Sequence, residues 1–213
     1  MPTKRYIQSF FGLMVASAFF LQGCATIIKL NKFGFDGAIG YSFGRSFNAT
    51  EQKYGHYALG GADGFEYFAT PELKTFHDFS CAVFAKNFGL TFDFIQHKYD
   101  EIWHETLDGI EIRKKSGTEY VFYGLGLGIE YRFFADRNKC FNPYVSANAF
   151  GFSYFKLHLF GKKINPDYPK RKDYRLAGGL RIKTISPIFV NAQLSYFPRN
   201  SILSFSAGLE LFF

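Results

Sequence analysis

Nine ionisable residues fall at alternate positions within short segments that also alternate apolar residues. The acids are Asp36, Glu66, Asp93, Glu130 and Glu210, and the bases are Arg132, Arg175, Arg181 and Lys183. Period-two spacing puts them on one face of a sheet, with the apolar residues on the other. Charges of both signs gathered on one inward face could line an ion path, or could pair into a salt-bridged plug. Burial favours the plug, because an unpaired charge out of water is costly. A second set, Lys162, Lys163, Lys170, Arg171 and Lys172, is concentrated in a stretch over 160–173 with two prolines. It could contact an anion or simply form a solvated loop. The five histidines (His56, His77, His97, His104, His158) are scattered singly, with His97 and His104 in a stretch that reads as solvated loop. Cys24, Cys81 and Cys140 form no Cys-x-x-Cys and no Cys/His cluster at zinc spacing, so neither a metal site nor another cofactor is expected. Cys81 is expected in a strand and Cys140 in a turn; whether they pair depends on a separation that sequence does not supply.

The elements that must position these groups are strands. From Leu203 every second residue is apolar: Leu203, Phe205, Ala207, Leu209, Leu211 and Phe213, against Ser204, Ser206, Gly208 and Glu210. Phe33, Phe35, Ile39, Tyr41 and Phe43 alternate in the same way with small residues. Val121 to Phe133 places Leu125, Leu127 and Ile129 opposite Gly124, Gly126 and Gly128, and 174–183 repeats the theme. Glycines on the polar face weaken a strand unless something packs closely against them. In a narrow closed sheet they make room for side chains from across the interior. Less regular strands are expected over 59–68, 77–95, 143–159 and 188–197, for a total of eight. Connections at 69–75 (with Pro71), 134–142 and 184–187 (with Pro187) fall at one end. Those at 45–58, 96–118, 160–173 and 198–200 fall at the other.

The chain has 213 residues, one domain by size, with 29 Phe and 14 Tyr yet a mean hydropathy of −0.08. That mixture suits a sheet with one apolar face and one polar face. A formal charge of +7, without a basic helix or an RNA-binding strand motif, argues against nucleic-acid binding. Residues 1–25 read as a cleaved export signal: Lys4 and Arg5, then an uncharged run from Phe10 to Leu21 too short to span a bilayer as a helix. Two cleavage readings stay open. Leu21-Gln22-Gly23-Cys24 resembles the lipobox of bacterial lipoproteins, which would acylate Cys24, although Gln22 departs from the usual residue. Ordinary cleavage after Ala25 is the alternative. The mature domain is 26–213.

An exported chain of alternating strands ending on Phe213 resembles the small bacterial outer-membrane β-barrels of the OmpA transmembrane-domain and OmpX kind. The resemblance implies an all-β, closed antiparallel up-and-down barrel of about eight strands, integral to the outer membrane, monomeric, with both termini periplasmic. It implies that Leu209, Leu211 and Phe213 form the C-terminal signal read by the barrel-assembly machinery. It also puts the loop cations Lys162, Lys163, Lys170, Arg171 and Lys172 where lipopolysaccharide phosphates lie, with membrane lipid as the other partner. The expected role is structural or surface-interacting and non-enzymatic. The alternatives are a narrow channel for small solutes, a lipid A-modifying enzyme, and a soluble β-sandwich tethered through Cys24. The deacylases among such barrels carry a His-x-Ser pair, and none occurs here; His158 is followed two residues on by Phe160.

Overall fold

The computed structural model describes residues 34–50, 54–58, 65–136, 139–154 and 170–213. The export segment with Cys24, and Lys162, Lys163 and His158, lie outside the described residues. Among the described residues nine strands are formed: β1 Asp36–Asn48, β2 Tyr54–Ala58, β3 Phe65–Ala85, β4 Phe88–Leu107, β5 Ile110–Arg132, β6 Phe141–Tyr154, β7 Lys172–Ile185, β8 Ile188–Phe197 and β9 Ile202–Phe212. All pairings are antiparallel. From β3 to β9 each strand pairs with the next, and β1 pairs with both β9 and β3. The hydrogen bonds therefore run in a ring through eight strands. The seam reaches the last residue, where the Phe213 N–H donates to the Gly37 carbonyl (2.9 Å) and the Gly37 N–H to the Phe213 carbonyl (3.2 Å). The short β2 lies outside the ring and continues along β3 beyond the end of β1.

The alternation read from sequence divides the two faces. Outward go Tyr41, Phe43, Phe79, Leu90, Phe92, Leu125, Leu127, Ile129, Leu176, Leu194, Phe205 and Leu209, all left exposed. Two aromatic rows edge this belt. Tyr41, Phe79, Phe94 and Tyr123 follow one another across four strands with ring centroids 4.7, 6.4 and 5.7 Å apart. Nearer the termini, Phe88, Tyr131 and Phe133 are spaced at 5.1 and 5.4 Å. Above the first row the outward face of β3–β4–β5 turns charged, with ion pairs Lys74–Asp100 at 2.5 Å and Lys98–Glu119 at 3.7 Å. Apolar belt, aromatic edges and then charge is the sequence of surfaces expected on crossing a bilayer. β4 has 20 residues; tilted as in such barrels, it rises about 45 Å, far more than the ~25 Å apolar band. The β3–β4–β5 sheet therefore projects well beyond the belt, away from the termini.

Residues 45–58, expected as a connection, instead end β1 (45–48) and form β2 (54–58); two further sequence expectations are corrected. Residues 69–75 are no turn; they lie inside β3, and the chain reverses instead at Lys86–Asn87. Pro71 is tolerated because the Asn48 amide donates to its carbonyl, so its missing N–H also faces the β1 side. That side falls in the gap where β1 has ended and β2 has not begun, so no donor is needed there. The real turn is held by Lys86 at φ 55° and by the Asn87 amide donating to the Arg132 carbonyl (2.7 Å). The second correction concerns 96–118, which is the upper hairpin of β4 and β5 turning at Asp108–Gly109 (φ 51° and 78°) and not a loop. With φ positive at both residues, this is the conformation favoured for Asp-Gly in two-residue hairpins. His97 and His104 consequently sit in β4 and are buried. Cys81 lies in β3 and Cys140 in the β5–β6 connection, and they form no disulfide.

Candidate functional site: the barrel interior and its rim

Four of the inward glycines face an aromatic ring that is their direct cross-strand partner: Gly89 with Phe84, Gly124 with Phe152, Gly126 with Phe150 and Gly179 with Tyr144. A Cβ at any of the four would collide with its ring; at Gly126 it would stand 2.4 Å from Phe150 Cζ. Much of the narrow interior is thereby filled from the β3–β7 wall. The opposite wall, β8–β9–β1, contributes small groups such as Ser42, Ser46, Ser195, Ser204 and Ser206.

The rings and charges stack in layers. Nearest the termini, Ala38, Ala82, Phe84, Phe189 and Phe212 form an apolar floor. Beside it Arg132, wholly buried, pairs with Asp36 and donates from Nε to the Lys86 carbonyl (2.7 Å). Above the floor Arg181 is clamped by two carboxylates. Nη1 and Nη2 donate to Glu130 at 2.5 and 3.0 Å, and Nε and Nη2 donate to Glu210 at 2.5 and 3.0 Å. Its guanidinium carbon lies 3.9 Å from the Tyr144 ring centre. Next comes Arg175, with Nη1 on Asp78 at 2.6 Å and Nη2 on Asp93 at 2.8 Å. Asn148 donates to Thr91 (2.6 Å) and Asp93 (2.5 Å). The cavity left among these groups is about 20 Å³, room for about one water.

Farther from the termini the interior is apolar again. Leu73, Phe76, Ile95, Tyr99, Phe122, Phe150, Phe152, Phe197 and Ile202 form one cluster. His97 is embedded in it, its ring stacked on Phe122 at 4.8 Å, with Nδ1 3.0 Å from Ser46 Oγ. In the projecting sheet, His104 joins three strands: Thr70 Oγ1 lies 2.8 Å from Nε2, and Glu111 Oε2 lies 2.6 Å from Nδ1.

The structure therefore brings Asp36, Asp93, Glu130, Glu210, Arg132, Arg175 and Arg181 together inside the ring. Lys183 stands at the terminal mouth beside Asp36 and Asp136. Glu66 is in β3, but its side chain lies outside the described residues. Asp78 was missed, and the parity of the strands explains why. Reading 77–95 as one strand puts Asp78 on the face opposite Asp93; the turn at Lys86–Asn87 brings both inside. Tyr144, Asn148 and Gln193 carry no charge to reveal them. Of the loop cations, Lys170 and Arg171 precede β7 and Lys172 begins it, all exposed at the end away from the termini. Leu209 and Leu211 alternate with the inward Glu210 on β9, and Phe213 closes the seam.

No family model and no curated protein matches the sequence. Among solved structures, the outer membrane protein OprG from Pseudomonas aeruginosa superimposes with a TM-score of 0.53 at 10% identity, covering 84% of this chain and 95% of that one. The chain has the fold of a small outer-membrane β-barrel. Neisserial surface protein A gives a TM-score of 0.44 at 14% identity, covering 84% and 96% of the two chains. Yersinia pestis Ail gives 0.42 at 15%, covering 83% and 99%. The exposed aromatic belt of this membrane barrel is thus its lipid-facing surface, which in water would be an apolar patch far larger than a soluble monomer carries.

Proposed function

We propose that the protein is a non-enzymatic outer-membrane barrel with a structural or surface-interaction role, whose interior holds it rigid and does not conduct. Both termini face the periplasm, the projecting β3–β4–β5 sheet faces outward, and membrane lipid, lipopolysaccharide and the assembly machinery are its partners. The observation that carries this reading is the filled cross-section. A floor of phenylalanines, two doubly clamped arginines and an aromatic cluster succeed one another, and the cavity between the clamps measures only about 20 Å³. A solute path would have to break the Arg181 or Arg175 clamps, leaving buried carboxylates without a counter-charge. The refolded protein in a planar bilayer should be electrically silent at moderate voltage. Steady, reproducible unit conductance would make the narrow channel the correct function.

One observation favours catalysis as a second reading. Thr70, His104 and Glu111 follow the order hydroxyl, imidazole, carboxylate that activates a nucleophile in acyl transfer. The His104 ring lies flat on Phe68 at 4.8 Å, which also suits a bond network that simply pins three strands. Ester hydrolysis by the folded barrel, measured with p-nitrophenyl butyrate, should not exceed that of His104→Asn. Turnover lost in that variant would establish the catalytic reading.

A further inference from the structure

Beyond the last turn of the belt, the β7 start and the β8–β9 turn make a fixed basic corner. Asp173, buried at the head of β7, accepts from the Arg199 N–H (3.0 Å), the Asn200 N–H (2.9 Å) and the Asn200 side-chain amide (2.8 Å). Asn200 Oδ1 accepts in turn from the Lys170 N–H at 2.5 Å. These bonds lock the turn at 198–201 onto the segment at 170–173. The acid is consumed inward by amides, and the cations are left outside: Lys170, Arg171, Lys172 and Arg199 are all exposed and have no carboxylate partner among the described residues. Arg199 is positioned by Tyr174, its guanidinium carbon 5.2 Å from the ring centre. Tyr174 is itself outward and 52% exposed.

What lies beneath identifies the ligand. On β7 the outward face descends from Lys172 to Tyr174 to Leu176, that is, from cation to aromatic to aliphatic within five residues. Leu194 and Leu203 continue the apolar surface on β8 and β9. A ligand seated here meets positive charge at one end and the acyl-chain belt at the other. A free anion would use only the first. Cations at this height face phosphate headgroups, and a guanidinium adds fork geometry that matches phosphate oxygens.

We infer that this corner is a binding site for the phosphate headgroup of a membrane lipid, with Arg199 and Lys172 as the phosphate contacts, Tyr174 as the shelf that orients Arg199, and Asp173 and Asn200 as the positioning residues that fix the corner. It rests on the membrane-barrel reading and names a lipid partner for the rim. Arg199 joins the site through tertiary structure alone, since β7 and β8 separate it from the 170–172 run in sequence, whereas Tyr174 follows that run directly on β7.

The test begins with the folded barrel of residues 26–213, verified by the difference in migration between boiled and unboiled samples. Without that shift it is the barrel reading that fails, and the lipid experiment is not reached. Folded protein in detergent is then offered an equimolar mixture of bis-phosphorylated lipid A and its dephosphorylated form, and retained lipid is counted by native mass spectrometry. The wild type should retain the phosphorylated form preferentially, and the preference should fall about fivefold for each of Arg199→Gln and Lys172→Gln. Lys98→Gln, on the projecting sheet, should keep it. Equal retention of the two lipids by the wild type would overturn the proposal, as would a preference that survives the double variant. Displacement of the lipid by millimolar inorganic phosphate would show a free-anion site and overturn the lipid assignment.

Discussion

Arg181→Met should cost about 3–5 kcal/mol of stability, since removing one partner of a buried ion cluster leaves the others uncompensated. Glu130 and Glu210, both buried, each meet Arg181 through two hydrogen bonds. Truncation at Arg181 strands two carboxylates in a space lined by Tyr144, Phe84 and Phe212, whose rings all lie against the guanidinium. Urea titration of the barrel in phosphocholine vesicles, followed by intrinsic fluorescence, gives the free energy. Combining Arg181→Met with Glu130→Gln and Glu210→Gln should recover a large part of the loss, because the penalty comes from unpaired charge more than from the missing contact. A single variant within 1 kcal/mol of wild type, by the same urea titration, would mean that water reaches the clamp and that the interior is not closed.

Gly126→Leu should abolish folding to the heat-shifting form, and Gly126→Ala should cost about 1–3 kcal/mol, the usual penalty for overpacking. The added Cβ would stand 2.4 Å from Phe150. Phe150 cannot retreat, being packed against Phe152 (5.9 Å) and Phe197 (5.6 Å), with the Arg175 guanidinium carbon 5.2 Å from its ring centre. Gly178 is the control: a Cβ there meets nothing nearer than the Tyr144 carbonyl at 3.9 Å, so Gly178→Ala should be close to neutral. The contrast separates a steric role from the generic cost of glycine in a strand, which both positions share. If both variants are neutral, the glycine–ring pairs are not the close packing described above.

Where the two faces of a strand differ in polarity, the sequence was readable. Leu125, Leu127 and Ile129 against three glycines located β5, and the apolar alternation from Leu203 located β9. Where both faces are polar, period two vanishes from view. In 96–101, Gln96, Lys98 and Asp100 point out while His97, Tyr99 and Glu101 point in, and the segment reads as loop although it is strand. Turns were legible only with their usual residues: Pro187 marked one, whereas Lys86–Asn87 carries neither glycine nor proline, and missing it inverted the parity of Asp78. The charged interior was legible as a set of residues but not as pairings, because Arg181 meets Glu130 and Glu210 across strands distant in sequence. The basic corner was half legible. The run Lys170–Arg171–Lys172 is contiguous, but Arg199 arrives from another hairpin.

The seam between β1 and β9 imposes an order on events in time. From β3 onward, each neighbouring pair of strands follows directly in the chain, so those pairings close short loops and can form early. The seam instead pairs Ala38 with Phe212 and Asn48 with Ile202, residues from opposite ends of the described chain. Its loop-closure entropy is the largest in the molecule, and it is repaid only after every intervening hairpin has been laid down. Until then β1 and β9 are two bare edges whose amides and carbonyls lipid cannot satisfy. Zipping the seam is therefore the committing step, and lesions in β1 or β9 should accumulate open, nearly complete sheets, whereas lesions in the middle hairpins should stop the process earlier.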